Sequence, residues 1–448
     1  MSNIKGSFLN ILLLILGGAF SSLLLFSIQV ILARELSPLY FGMFSASMAT
    51  ITLLAPLSVF GIQHVWLKVY GEEGYEANKY LFKSFIFISF SSLFTLALVI
   101  MWSFFGPHSI QFRNILLGLT VLIFSHVVME LVTSKLQLES KFSFLSFWQL
   151  LPNLLRFVFI LGIVLIVSEG TEIHQVLVIY NLVAIIMILI SFFYLLPMLR
   201  GKIKLAEEYS KPFQETKPID EQIFLKNILS LASPFGFAAI FYLVYLQSDL
   251  ILIKYLVGDE AVGIYNAAFI VILACYLIPG IIYQKFLLPR FHKWASYDKI
   301  KYLKYYQLGN GLMIVFGIIM FMLLYLFIPL LHPLLFGKEY DESINILYIL
   351  IFCIPIRFLA SSIEMPLFTK GFMAKKTRIM GFVALINVIL NLLLIPVYSI
   401  YGAAMSTLIS EILLLVLYSY SVSRNVFGKR MWQGWFAIFK YNFWKNNG

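Results

Sequence analysis

The chain has 448 residues, of which 61% are hydrophobic and only 12% charged, and it carries a formal net charge of +11. An ordinary soluble domain is about 45–50% apolar and about 25% charged, so too little polar surface is present to cover a water-soluble body of this size. The apolar residues fall in blocks of about 20, the length of a helix that crosses a hydrocarbon core about 30 Å thick, and a multi-pass membrane protein is expected.

In chain order, the hydropathy pattern predicts twelve helical spans at about 10–33, 41–63, 85–105, 114–134, 144–167, 174–197, 228–253, 262–284, 307–330, 344–368, 380–396 and 400–422. With the N-terminus inside, the inner segments hold 27 of the 33 Lys and Arg residues, and the outer loops hold only Arg34, Arg113, Lys254 and Lys338. This bias places both ends in the cytoplasm. It also reads the positive charge as topology rather than as a nucleic-acid surface. The richest inner segments, Arg200 to Lys226 and "QKFLLPRFHKWASYDKIKYLK" at 284–304, are also candidates for contact with anionic lipid headgroups. The first apolar run lacks a small-residue cleavage pattern and leads through "ILARELSPLYFG" into the next, so it is expected to be retained. Cys275 and Cys353 are the only cysteines and fall in separate spans, which suggests neither a disulfide framework nor a cysteine metal site.

The longest polar interruption, residues 200–227, divides the spans six and six. The expected organisation is therefore a first lobe at 1–199, a linker at 200–227, a second lobe at 228–423 and a basic tail at 424–448. Six spans return the chain to its starting side, as a parallel duplication requires. Two internal echoes fit that division: "RELSPLYFGMFSAS" (34–47) with "VGDEAVGIYNAAFI" (257–270), and "MELVTSK" (129–135) with "IEMPLFTK" (363–370).

Polar residues inside the spans are the candidate functional groups, because an ionisable side chain at mid-membrane costs about 2.5–3.5 kcal/mol and is retained for a reason. In span 7, Tyr242, Tyr245 and Asp249 recur at helical spacing and should face the bundle interior, with Asp249 either ion-paired or responsive to substrate or cation. In span 5, Gln149, Asn153 and Arg156 share a face, reading as a cavity wall for a hydroxyl-rich or anionic ligand, since Arg presents a rigid fork of donors; the alternative is an Arg snorkelling to headgroups. In span 10, Arg357, Ser361 and Glu364 follow at spacings of four and three. The two charges are about 10 Å apart by helical rise, so they should bracket a cavity or find partners on other helices. In span 4, His126 and Glu130 are a proton-carrying pair or a packed His beside a carboxylate. Glu411 in span 12 has the same two readings. Asn387 and Asn391 in span 11 are expected to join helices, with contact to substrate sugars as the alternative. Neither a G-x-x-x-x-G-K-[ST] run nor an H-E-x-x-H pair occurs, so work should come from an ion gradient, the membrane potential or consumption of product.

The segments "ILARELSPLYFGMFSASMATITLLAPLSVFGI" (31–62), "SDLILIKYLVGDEAVGIYNAAFIV" (248–271), "LFGKEYDES" (335–343) and "NVILNLLLIPVYSIYGAAMSTLISE" (387–411) resemble those of the bacterial polysaccharide transporters, the O-antigen or capsule flippase family often called Wzx. The resemblance covers essentially the whole chain. It implies an all-α membrane protein of two six-helix lobes in the cytoplasmic membrane, related by a pseudo-two-fold axis. Its expected activity is to flip an undecaprenyl-pyrophosphate-linked oligosaccharide from the inner to the outer leaflet by alternating access, without acting as an enzyme. A cationic central cavity is implied, matched here by Arg156 and Arg357. The family's span-7 Asp falls on Asp249, and its G-x-Y on Gly263 and Tyr265. Membrane lipids and the polymerase and chain-length machinery of polysaccharide assembly are the implied partners. No cofactor is expected, with H+ or Na+ as a candidate coupling ion. Residues 8–33 lack the carboxylate found in some drug-exporting cousins, which weakens a multidrug or small-solute antiporter reading. Short outer loops weaken a membrane glycan ligase or polymerase.

Overall fold

A computed structural model describes residues 2–167, 170–206, 225–369 and 371–435 of the chain. Residues 207–224 of the expected linker and 436–448 of the expected tail lie outside the described residues. The fold is all-helical, with no strand among the described residues. The chain divides into two compact units, Met1–Ile251 and Leu252–Gly448.

The first unit runs through α1 (Ser2–Glu35), α2 (Pro38–Val59), α3 (Ile62–Glu73), α4 (Asn78–Phe105), α5 (Ile110–Gly118), α6 (Val121–Leu138), α7 (Phe142–Ile166), α8 (Ile173–Leu199) and most of α9 (Leu225–Leu256). The second completes α9 and continues through α10 (Asp259–Gly280), a π-helical stretch (Ile281–Leu287), α11 (Leu288–Tyr297), α12 (Lys299–Phe336), α13 (Asp341–Leu350), α14 (Cys353–Ile363), α15 (Met373–Tyr398) and α16 (Ile400–Val422). Among the described residues, ten helical segments are long and apolar enough to cross a membrane, and an eleventh arises if the bent pair Lys338–Leu350 and Cys353–Ile363 counts as one. All twelve expected spans fall on helix, but four are interrupted.

Two of the interruptions trace to particular residues. Ser37 and Pro38 start α2 in the way proline favours at a first helical turn; Phe60 (φ 42°) and Gly61 (φ 82°) then end it in the left-handed region. A side chain at Gly61 would stand 2.8 Å from the Ala232 carbonyl oxygen and from Phe235 Cβ. The Phe60 ring packs on Phe237 at 5.5 Å. The first part of α9 is therefore seated on the turn between α2 and α3, which is why the unit boundary falls within α9 and not in the polar stretch 200–227. Residues 62–73, of which only the first two fall inside the expected second span, form a separate helix that buries Val65, Trp66 and Val69 and exposes His64 and Lys68. Span 4 breaks between Gly118 and Val121; the Gly118 carbonyl freed there accepts a hydrogen bond from Asn181 Nδ2 of α8 at 2.7 Å, satisfying a group that lipid could not. Span 10 bends by 46° between α13 and α14. Span 8 continues past Gly280 as π-helix.

The echoed segments occupy equal places in their helices. Gly42 and Phe44 lie four and six residues after the start of α2, and Gly263 and Tyr265 four and six after the start of α10. Phe44 packs edge-on against Tyr180 of α8 at 5.1 Å; Tyr265 hydroxyl meets Thr407 Oγ1 of α16 at 3.2 Å. Within the first unit, α2 packs on α4, α5 and α6, α6 on α8, and α1 on α7. Within the second, α10 packs on α13 and α14, α14 on α12 and α16, and α15 on α16. Buried hydroxyls are mostly satisfied within their own helix, as when Thr50, Ser103, Ser191 and Ser406 donate to the carbonyl four residues back. Large apolar side chains such as Phe90, Phe193 and Leu326 are exposed in bulk, the outer surface that lipid covers.

Candidate functional site

In the first unit the polar residues of α7 divide between two neighbours. Asn153 Nδ2 donates to Ser21 Oγ of α1 at 3.0 Å, and Ser21 Oγ donates to the Gln149 carbonyl at 3.2 Å. Gly17, one turn earlier, lets Ser146 approach and donate to the Leu13 carbonyl at 2.8 Å. Small residues permit this close α1–α7 crossing, and Asn153 and the Gln149 backbone serve it.

Arg156, near the middle of α7, points at a different helix. Its guanidinium carbon lies 4.6 Å from the centre of the Tyr180 ring on α8. Among the described residues no carboxylate pairs with it, its Nε is buried without a hydrogen-bond partner, and so is the Tyr180 hydroxyl. A cation–π contact contributes about 0.5–2 kcal/mol, less than the about 2.5–3.5 kcal/mol that a charge near mid-membrane costs. The arrangement holds a cation and a hydroxyl donor side by side with an unmet demand for an acceptor. The sequence signal for Tyr180 was the polar pair Tyr180–Asn181 within "VLVIYNLVAII".

The other expected groups of this unit do not join Arg156. Glu130 on α6 lies within electrostatic reach of the Gln63 side chain of α3, and no hydrogen bond links it to His126 among the described residues, so the two are not brought together as a pair. On α9, Asp249 is 1% and Tyr245 4% exposed, whereas Tyr242 is 42% exposed. By helical rise Tyr242 lies about 4.5 Å from Tyr245 and about 10 Å from Asp249 along the axis, and it is the exposed member of the three.

The second unit gathers four charges and a tyrosine. Arg357 of α14 meets Glu411 of α16, Nη1 to Oε1, at 3.6 Å. The guanidinium also lies 5.3 Å from the centre of the Tyr276 ring. Glu364 pairs with Lys376 of α15 at 3.3 Å, and Lys376 Nζ lies 3.7 Å from the centre of the Phe368 ring. Tyr418 stands within electrostatic reach of Glu364, Arg357 and Glu411. Arg357, Glu364 and Glu411 thus belong to one neutral cluster of two cations and two carboxylates, in which each charge has its partner on another helix. Lys376 and Tyr418 were missed in the sequence, where Lys376 read as one more inner basic residue of "MAKKTR".

Ser361 makes no such bond, whereas Ser362 next to it does. Tyr283 of the π stretch donates to Ser362 Oγ at 2.8 Å, and Ser362 donates to Asn310 Oδ1 of α12 at 2.6 Å, tying the π stretch to α12 and α14. Asn391 Nδ2 donates to Asn387 Oδ1 at 3.2 Å and Asn387 Nδ2 to Ser410 Oγ at 3.3 Å, which joins α15 to α16. Among the described residues no three His, Cys, Asp or Glu side chains form a metal-binding group.

Three comparisons place this geometry. The family model described as "Polysaccharide biosynthesis protein" matches residues 8–294. A search of curated proteins returned no significant match. Among solved structures, the chain is similar to a lipid II flippase MurJ in an inward closed conformation, at 17% identity and a TM-score of 0.70 over 92% of this chain and 87% of that one. It is also similar to an inward-facing multidrug resistance MATE family transporter of the MOP superfamily, at 14% identity and a TM-score of 0.66 over 90% and 93%. A third similar structure, the MATE multidrug transporter DinF-BH in complex with R6G, has 14% identity and a TM-score of 0.61 over 93% and 94%. At these identities the likeness establishes the fold alone, one shared with these flippase and multidrug transporter structures. Because the family model covers well over half of the sequence, the chain belongs to the polysaccharide biosynthesis protein family.

Proposed function

We propose that the protein flips a polyprenyl-pyrophosphate-linked oligosaccharide, of the undecaprenyl type, across the cytoplasmic membrane during O-antigen, capsule or related polysaccharide assembly. The observation that carries this reading is Arg156: a guanidinium in an apolar helix, stacked on Tyr180 and without a carboxylate partner among the described residues. A pyrophosphate headgroup brings the missing negative charge, and Tyr180 adds a hydroxyl donor beside it. Family membership and a fold shared with a lipid II flippase support this substrate class.

The topology in this reading has twelve spans with both ends in the cytoplasm. The run Pro38–Phe105 is 68 residues long, about 100 Å if helical, more than three times the hydrocarbon thickness. Since α2 packs back on α4, it counts as two spans; with the bent pair as one, the total is twelve. Transport proceeds by alternating access, with no covalent bond changed. Coupling to H+ or Na+ would draw on the buried carboxylates, Asp249 foremost.

The experiment is transport by the full chain in proteoliposomes. Movement of a fluorescent polyprenyl-pyrophosphate sugar, with no export of cationic dyes, is the expected result. Dye export without lipid movement would favour the multidrug-antiporter reading, which the MATE-like fold also accommodates.

A further inference from the structure

We propose that one end of the second unit, formed by α11, the starts of α12 and α15 and the segment after α16, is a binding surface for anionic phospholipid headgroups. Side-chain contacts make these elements a single surface. Phe291 of α11 packs on Tyr302 of α12 at 5.5 Å, and Phe427, beyond α16, packs on Tyr302 at 4.9 Å and Tyr306 at 4.7 Å. Gln307 Nε2 donates to the Arg430 carbonyl at 2.6 Å, and Lys375 Nζ donates to Asn425 Oδ1 at 2.6 Å.

On this surface Lys299, Lys375, Arg378, Lys429 and Arg430 are exposed. Between them stand Tyr297, 85% exposed, Ile300, 83% exposed, and Trp432, 54% exposed. The nearby carboxylate, Asp298, is already engaged: it caps the Lys301 backbone N–H at 3.0 Å and pairs with the Lys301 ammonium at 3.4 Å. Cations interleaved with exposed Trp, Tyr and Ile match a phospholipid interface, where headgroup phosphates meet the cations and the aromatic rings lie at the level of the headgroups. A soluble phosphate would leave the apolar side chains in water.

Topology alone does not account for the charge. The corresponding stretch of the first unit, residues 62–83, follows its second helix in the same way but holds three cations and three carboxylates. There Lys79 pairs with Glu73 at 2.8 Å. Residues 288–304 of the second unit hold five cations and one carboxylate. A segment that needed only to stay on the cationic side would not differ so far from its counterpart.

The test uses the full-length protein in neutral detergent, titrated with phosphatidylglycerol or phosphatidylcholine and read by native mass spectrometry of the protein–lipid complexes. Wild type should bind phosphatidylglycerol at least tenfold more tightly than phosphatidylcholine. The triple variant Lys299→Gln/Lys429→Gln/Arg430→Gln should bind phosphatidylglycerol about a hundredfold more weakly, at roughly a factor of five per cation near a surface, with an unchanged unfolding midpoint in detergent alone. Lys68→Gln/Lys79→Gln/Lys83→Gln in the first unit should keep wild-type binding. Trp432→Ala should weaken both lipids without abolishing the preference. The proposal is overturned if wild type shows no preference, if the two triple variants lose binding equally, or if millimolar inorganic pyrophosphate displaces phosphatidylglycerol, which would mark a soluble-anion site.

Discussion

The two units treat a guanidinium in an apolar helix in opposite ways. In the first, Arg156 has an aromatic ring and, among the described residues, no carboxylate; in the second, Arg357 has an aromatic ring and Glu411, and a further pair, Glu364–Lys376, beside it. A buried pair roughly offsets its own desolvation, and its weak point is the loss of one member. An unpaired cation is costly as it stands and is relieved only when an anion arrives. At Arg357 the fold completes the charge itself, whereas at Arg156 the proposed function leaves that to the ligand.

That contrast breaks cleanly under substitution. Arg156→Met should cut lipid transport by a hundredfold or more, while the unfolding midpoint of the purified protein stays level or rises, because an uncompensated charge is removed; a fall in stability matching the fall in transport would merge the two cases. Arg357→Met should instead destabilise the protein by about 3–5 kcal/mol, since it strands the Glu411 carboxylate. Adding Glu411→Leu should recover most of that loss in a denaturation experiment. Gly61→Ala should cost about 1–3 kcal/mol by overpacking against Ala232 and Phe235, read as a lower denaturation midpoint. Asn153→Ala should cost only about 0.6 kcal/mol, the usual worth of an interhelical hydrogen bond in a membrane protein, and leave transport near normal. If Asn153→Ala matched Arg156→Met in transport, the amide would belong to the ligand site rather than to the α1–α7 crossing.

Most of the helical framework was legible in the sequence because each span is an apolar block bounded by polar residues. The interruptions were not. A hydropathy window cannot register the bend between Leu350 and Cys353, since the residues on both sides are apolar, and it reports composition rather than the change from α- to π-helix after Gly280. The carbonyl freed at Gly118 finds its donor on Asn181, a residue 63 positions away. Periodicity did group Arg357 with Glu364, and Asn153 with Arg156, on shared helix faces. It could not say that Arg357 pairs with Glu411, that Glu364 pairs with Lys376, or that Asn153 and Arg156 turn to different helices, because helical spacing reports neighbours on one element and the partners lie on others.

The central claim is that the substrate's anion completes the charge at Arg156. Equilibrium binding of a short-chain polyprenyl pyrophosphate to the purified protein tests it most directly, with wild type, Arg156→Gln and Arg156→Lys compared at fixed ionic strength. The account predicts at least tenfold weaker binding for Arg156→Gln and an intermediate value for Arg156→Lys, whose ammonium keeps the charge but loses the planar fork. Equal affinity in all three proteins would contradict it.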